Sequence, residues 1–379
     1  TRTTIIGAFD HGIYGAVERV SDHLKIPYPG KPRQILWRIY SKQAILCSGA
    51  TERPIVFENN DRPGIMLAGA IRSYVNRWAV TPSQNVAIFT NNNDGHQTAR
   101  ALLNKGVNVA AVIDTRKQKV SSPDYETFSN AVVSNTSGRL GLISIIVRHE
   151  DGSQRTVKCG ALGVSGGWNP NINISSHHRG RPIWKESIQS FIPDDNCPSG
   201  LLVAGSAKGF MELQDVIKSG HDAAVQALDS LSIKPQGINL PKVQGDVDFA
   251  IEPFWIVKGT SRGWVDQQND VTAKDIKLAK QENFTSVEHL KRYTTLGMAT
   301  DQGKTANISG LAIMANLLGK PIPEVGTTIY RPPYTPTAIG AFAGRSRDKD
   351  FRPIRKTPSH LWAEEKGAVF VEVGMWMRA

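Results

Sequence analysis

Short apolar runs separated by clusters of glycine, proline and asparagine fill the first two thirds of the chain, and runs of that length predict buried strands. "NVAIFT" (85–90) is such a strand, "NNNDGHQTARALLNKG" (91–106) reads as a loop and a helix stopped by Gly106, and "VNVAAVIDTR" (107–116) resumes as a strand. Together they predict a β-α-β crossover. Further on, "RLGLISIIVRHEDGSQRTVKCGALGVSGG" carries the hairpin signal Asp151-Gly152 between two β-rich runs. Upstream, "QAILC" (43–47) is short enough for a buried strand and runs into the small-residue turn Ser48-Gly49-Ala50. Pro54 and the turn Asp61-Arg62-Pro63-Gly64 follow, before apolar spacing that predicts a helix from Met66 to Val75. "GLLVAGSAKGFMELQDVIKSGHDAAVQALDSL" repeats the scheme as a strand, a turn holding Gly205, Ser206 and Gly209, and an amphipathic helix.

The pattern then changes period. After a Pro/Gly-marked linker, "KPQGINLPKVQGDVD", the stretch "TAKDIKLAKQENFTSVEHLKRYTTLG" predicts two short helices and "SGLAIMANLLGK" a third. "PIPEVGTTIYRPPYTPTAIG" is proline-rich and irregular. Strand-helix alternation followed by helices predicts an α/β fold with a helical appendix.

A chain of 379 residues can hold two or three domains, and 40% hydrophobic with 21% charged residues is ordinary for a globular protein. Apolar runs are strand-sized, so no membrane span is expected, and "TRTTIIGAFDHG" lacks the layout of a signal peptide. A net charge of +11 favours anionic partners, but the basic residues are scattered and no nucleic-acid motif is present. An anionic cofactor or an acidic partner chain is the better expectation. Cys47, Cys159 and Cys197 are far apart and fit neither a disulfide framework nor a metal site, so a cytoplasmic location is expected.

Candidate chemistry is sparse. "TTLGMATDQGKTAN" (294–307) ends like a P-loop, yet Gly297 and Gly303 are one residue too far apart and a helix, not a strand, precedes them. In the crossover, a nucleotide-binding version would place pyrophosphate at the helix N-terminus and a ribose on Asp114 at the end of the second strand. Its loop lacks G-x-G-x-x-G, and Asp94 would oppose a phosphate, so a purely structural crossover stands beside that reading. Strand, turn and helix around Gly205 and Ser206 form an anion-facing element of a common kind. His177-His178 lacks a third ligand nearby, and His289 beside Glu288 reads as an exposed helical pair. No catalytic constellation is visible.

The segment "AILCSGATERPIVFENNDRPGIMLAGAIRSYVNR" resembles the hinge of two-dinucleotide-binding flavoproteins, and "GVSGGWNPN" and "LLVAGSAKG" resemble the segments that return to their first domain. "WVDQQNDVTAKDIKLAKQENFTSVEHLKRYTTLGMATDQGKTAN", "IPEVGTTIYRPPYTPTAIGAFAGR" and "RKTPSHLWAEEKGAVFVEVGMWMR" closely resemble the α subunit of heterotetrameric sarcosine oxidase. The resemblance runs over nearly the whole chain. It implies FAD/NAD(P)-binding-like α/β layers followed by a small helical domain similar to bacterioferritin-associated ferredoxin without its cluster cysteines. The expected division is 1–78 as part of a first domain, 79–165 inserted, 166–240 returning, 241–345 helical, and 346–379 as linker and start of an aminomethyltransferase-like folate domain.

What the resemblance implies for chemistry is specific. Related α subunits hold a [2Fe–2S] cluster on four cysteines, and the matching positions here are Asp266, Gln268, Asp301 and Ala306, which offer no thiolate. The GKT stretch is then the shell of a lost cluster site. The family implies a non-redox NAD in this subunit, lined by residues such as Ser48, Gly49, Ala50, Thr51, Gly205 and Ser206, with Asp114 a further candidate. FMN is implied at the interface with the β subunit, FAD in the β subunit and tetrahydrofolate in the C-terminal domain, with γ and δ subunits as further partners. Lys304 and Thr305 suit the FMN phosphate by charge and hydroxyl donation, the alternative being a solvated loop with Thr305 capping a helix. These residues carry no G-x-G-x-x-G fingerprint, so NAD binding by them alone is expected to be weak or absent. The implied role is a scaffold in a complex that oxidises sarcosine to glycine, forms hydrogen peroxide and passes the one-carbon unit to tetrahydrofolate. A free-standing NAD(P)H-dependent flavoprotein reductase is the alternative.

Overall fold

A computed structural model describes residues 2–117, 122–177, 180–194, 197–245, 249–344, 346 and 350–379. His178 and positions 246–248 of the expected linker lie outside the described residues. The chain opens with an antiparallel sheet of β1 (Thr3–Phe9), β2 (Ile13–Arg19) and β3 (Gln34–Tyr40). Two short strands follow, β4 (Ala44–Leu46) and β5 (Ala50–Glu52), and then β6 (Ile65–Leu67) feeds helix α1 (Ala68–Trp78). The helix expected from Met66 thus starts two residues later, because Ile65–Leu67 is drawn into a parallel sheet beside Leu162–Val164.

That sheet organises the middle of the molecule. β7 (Asn85–Thr90), α2 (Asn93–Leu103) and β8 (Asn108–Asp114) make the crossover, and β9 (Thr127–Ser129) extends it. Next come β10 (Ala131–Ser137), β11 (Ser144–His149), β12 (Gln154–Lys158) and β13 (Ala161–Ser165). The five strands run parallel in the order β6-β13-β7-β8-β9, while β10-β11-β12 form a separate antiparallel sheet turned at Asp151-Gly152. Alternation along β7 sorts the two faces, since successive strand side chains point opposite ways. Val86 and Ile88 pack on Ile71 and Val75 of α1 and on Ala99 and Leu102 of α2. Ala87 and Phe89 face Val133, Ile145 and Val147 of the antiparallel sheet, with Phe57 edge-on to Phe89 at 5.7 Å. A parallel sheet covered on both faces needs the near-continuous apolar strands seen in the sequence.

The chain returns through β14 (Trp168–Pro170), which pairs with β5, then α3 (Asn173–Ser176), β15 (Ile183–Lys185) and β16 (Ser190–Ile192). β17 (Leu201–Val203) lies parallel to β4 and leads into α4 (Leu213–Ser230). The last third is mainly helical. A hairpin of β18 (Trp264–Asp266) and β19 (Val271–Thr272) precedes α5 (Ala273–Gln281), α6 (Val287–Thr294) and α7 (Asn307–Leu318). Thr272 and Asp275 close a capping box on α5. Residues 307–315 of α7 are all buried, so this helix is the core of its unit, packed by Ile276, Leu290 and Leu296. Among the described residues no helix is long and apolar enough to cross a membrane.

Leu162 is fully buried on β13, between β6 and β7 of the parallel sheet, and belongs to the core cluster on its face. Leu162→Ala lowers the unfolding free energy by about 2–5 kcal/mol, measured by urea denaturation.

Candidate functional site

The two strands that join the first unit to the parallel sheet, β5 outgoing and β14 returning, pair antiparallel, with Trp168 opposite Glu52. Neighbouring residues on an extended chain point to opposite sides, and here that separates Glu52 from Arg53. Arg53 is 1% exposed. Its Nε donates to the Gly166 carbonyl at 2.8 Å, its Nη1 to Asn169 Oδ1 at 2.7 Å, and its guanidinium lies over the Trp255 ring at 4.7 Å. Burial pushes the Arg53 pKa down to about 9.

Glu52 lies on the other side. Its Oε2 accepts from the Gly69 amide at 2.6 Å, in the first turn of α1, and the Ser165 side chain also hydrogen-bonds the carboxyl. Burial pushes the Glu52 carboxyl up to about 8, opposed by hydrogen bonds from Ser165 and Gly69 and reinforced by the nearby Asp94 charge. At neutral pH this hinge therefore holds a largely protonated acid.

Beside the hinge, a cavity of about 400 Å³ opens between the first unit and the N-terminus of α2, bordered by Ala50, Ser206, Asp94, Trp168 and Phe249. Two of the expected dinucleotide residues, Ala50 and Ser206, border it directly. The others support it: Asn171 ties the turn together, taking hydrogen bonds from Ser48 Oγ and Thr51 Oγ1 at 2.8 Å each and giving its amide to the Gly49 carbonyl. Gly205 takes a left-handed φ of 64° and donates its amide to Ser219 Oγ. On the far wall Asp94 is held by Arg72, at 2.9 and 3.2 Å, and by the Trp168 indole N–H.

Asp114 does not reach this cavity. It is fully buried, and its oxygens accept from Arg116 Nε and Nη2 and from the Arg116 amide, while His96 Nε2 lies 2.9 Å away. Those partners hold the Asp114 pKa below the usual carboxylate value against the opposing effect of burial. Where a dinucleotide-binding crossover would receive pyrophosphate, the chain supplies its own backbone. The Asn93 amide donates to the Ala250 carbonyl, Arg116 Nη1 reaches the same oxygen, and Asn91 and Glu252 exchange hydrogen bonds. The crossover is closed on itself.

The GKT stretch is no P-loop. Gly297 and Gly303, at φ of 68° and 69°, leave room for the Asn307 side chain, which donates to the Gln302 carbonyl. Lys304 and Thr305 point to different places. Lys304 borders a small cavity with Asn169 and Asn171, and its ammonium donates to the Tyr334 carbonyl at 2.8 Å, over the Tyr334 ring at 4.1 Å. Burial lowers its pKa, with Asp301 opposing. Thr305 borders a larger cavity of about 270 Å³ together with Asp266, Gln268 and Asp301. It does not cap the helix, whose N-cap is Ala306 with no side-chain bond.

Three of the four positions aligned with cluster cysteines thus surround one cavity, and the fourth, Ala306, is buried in the helical core. They do not fit an iron–sulfur cluster. Asp266 Oδ1 accepts from the Gln268 and Asn269 amides and Oδ2 from the Gly297 amide at 2.8 Å, so the carboxylate is spent on linking two loops. Among the described residues no group of three or more His, Cys, Asp or Glu is placed to hold a metal. His289 is exposed, and Glu288 pairs with Arg292 instead. His177 Nδ1 accepts from the Ala8 amide.

Residues 260–345 match the family described as the sarcosine oxidase A3 domain. Over all of its length the chain is 40% identical to the sarcosine oxidase α subunit of Rhizobium meliloti (strain 1021) and 36% identical to that of Corynebacterium sp. (strain P-1). The chain is a homologue of sarcosine oxidase α subunits. It spans 38% and 41% of the lengths of those two proteins. In fold it is similar to L-proline dehydrogenase from P. horikoshii, with a TM-score of 0.69 at 19% identity over 90% of this chain and 64% of that one. The expected α/β layers followed by a helical part hold, and they share the fold of that dehydrogenase.

Reading the sequence alone passed over Arg53, Asn169, Asn171 and Trp168. The one signal was the charged pair Glu52-Arg53 set directly before the apolar run "PIVF". For Glu52, a folded pKa of about 8 against an ordinary 4.5 means that its contribution to stability is complete below about pH 4.5 and is lost as pH rises through about 8. Glu52→Gln should flatten that decline, so thermal melts of the two proteins converge in acid and the variant melts higher at pH 8.5.

Proposed function

We propose that this chain is a non-catalytic scaffold of a sarcosine-oxidising complex, holding NAD in the cavity beside the hinge and contributing a wall to the FMN site shared with a β subunit. In that reading the β subunit oxidises sarcosine to glycine by hydride transfer to its FAD, and oxygen takes the electrons through FMN to give hydrogen peroxide. The α subunit's C-terminal domain passes the one-carbon unit to tetrahydrofolate, and γ and δ subunits complete the assembly. The observation that carries the dinucleotide part is the cavity of about 400 Å³ at Ala50 and Ser206, backed by the turn that Asn171 braces. NAD would supply no redox step there. This chain's residues enclose it, with Trp168 offering an aromatic face and Asp94 an acceptor already held by Arg72.

Lys304 is the residue we assign to the FMN phosphate, because its half-buried ammonium has two N–H bonds left after the Tyr334 carbonyl. Thr305, directed to the other cavity, would act on the flavin only from the far side of the loop. The second reading, a free-standing NAD(P)H-dependent reductase, is disfavoured by the closed crossover around Ala250 and Asp114. Cys47 is exposed, Cys159 is buried and pushed up to about 12, and Cys197 is on a separate loop, so these three do not form a redox pair.

Two measurements test the scaffold reading. In a subunit of the relatives' full length, mass spectrometry of the denatured protein should detect released NAD, whereas calorimetry on the 379 residues alone should give binding weaker than micromolar. A full-length subunit that carries no nucleotide would contradict the NAD assignment. Lys304→Ala should lower the FMN retained by the assembled complex, and unchanged flavin content would remove Lys304 from that site.

A further inference from the structure

The cavity of about 270 Å³ between the parallel-sheet unit and the helical unit has a sharply divided lining. Its floor is apolar and deep, built from Ile55, Phe57 and Val164, all under 3% exposed, with Met66 at one side. Its rim holds the carboxylates of Asp266 and Asp301 and no lysine, arginine or histidine among the described residues that line it. In a chain of net charge +11 that is a marked local reversal.

Among the described residues neither carboxylate is in contact with a cationic side chain, and the Lys304 ammonium acts on Asp301 only as a charge at longer range. Asp266, 2% exposed, accepts only backbone amides, and Asp301 accepts the Gly303 amide at 3.1 Å. Lys304, three residues from Asp301, turns its ammonium to the Tyr334 carbonyl and borders the other cavity. Backbone N–H groups fix the Asp266 carboxylate but bring no full positive charge, so the rim keeps a negative potential strengthened by the low-dielectric floor. Such a site penalises an anion and rewards a cation whose body can cover the apolar floor. Its volume is below that of drug-sized sites, which limits the guest to roughly one ring or a short branched chain.

We propose that this cavity binds a singly charged organic cation, a protonated amine carrying a small apolar body. The ammonium would lie at the Asp301 rim and the apolar body over Phe57 and Val164. The proposal is independent of the NAD and FMN assignments, because Ala50, Ser206 and Lys304 border other cavities.

Benzylammonium, benzyl alcohol and benzoate, which share a ring and differ in charge, are the probes, titrated into the full 379-residue chain and followed by ligand-observed NMR and calorimetry. Benzylammonium should bind at least about fivefold more tightly than benzyl alcohol, the range set by one partly exposed charge pair, and benzoate should bind weakest. Asp301→Asn, which can keep the bond to the Gly303 amide, should remove the preference for the cation while leaving the alcohol unaffected. Met66→Trp should fill the floor and abolish binding of all three, and Thr305→Trp at the rim does the same test without disturbing the floor. Absence of binding by any probe, a preference for benzoate, a cation preference that survives Asp301→Asn, or binding that persists in both tryptophan variants would overturn the proposal.

Discussion

A buried positive charge at the crossing of two strands holds this molecule together. Arg53 has left water almost completely, and its charge is compensated by dipoles and an aromatic face instead of a carboxylate: the Gly166 carbonyl, the Asn169 amide oxygen and the Trp255 ring. A desolvated guanidinium is tolerated only where its fork is met by well-aligned acceptors. The surroundings are shaped for it. Gly167 adopts a φ of 108°, and a Cβ there would lie 2.6 Å from Arg53 Nη2, so glycine is required both for the backbone and for the space.

The same guanidinium couples units that are distant in sequence. Asn169 belongs to the returning strand and Gly166 to the turn just before it, Trp255 to the segment entering the helical unit, and Asn169 Nδ2 goes on to the Lys304 carbonyl at 3.3 Å. One side chain therefore links the hinge, through Asn169 the GKT loop, and through Trp255 the segment whose residues Ala250 and Glu252 close the crossover. The cavity beside Ala50 includes Trp168 of the returning strand, and the acidic cavity under Thr305 includes Pro54, which follows Arg53.

Local periodicity made much of the architecture legible. "NVAIFT" and "VNVAAVID" are strands flanking a helix, near-continuously apolar because both faces of their sheet are covered, and Asp151-Gly152 turns the hairpin it signals. The three helices of the last third follow from their apolar spacing, with Thr272 and Asp275 marking the start of α5. Contacts over long separations were not legible. Asp114 looked free to meet a ribose, and only the folded chain brings Arg116 and His96 onto it; Arg116, two residues on, was the available hint. Lys304 and Thr305 looked like one phosphate grip, but adjacent side chains on this turn diverge toward separate cavities. The sheet of β1, β2 and β3 had no clear signature, since Trp37 and Tyr40 on its edge strand are exposed and break the expected burial pattern.

The measurement that bears most directly on this joint is hydrogen exchange by mass spectrometry on Arg53→Met, a substitution that keeps length and removes the charge and its donors. If Arg53 couples the units, peptides covering 166–169, 254–257 and 303–307 should lose protection together. Loss confined to residues next to position 53, with 254–257 and 303–307 exchanging as in the parent protein, would contradict it.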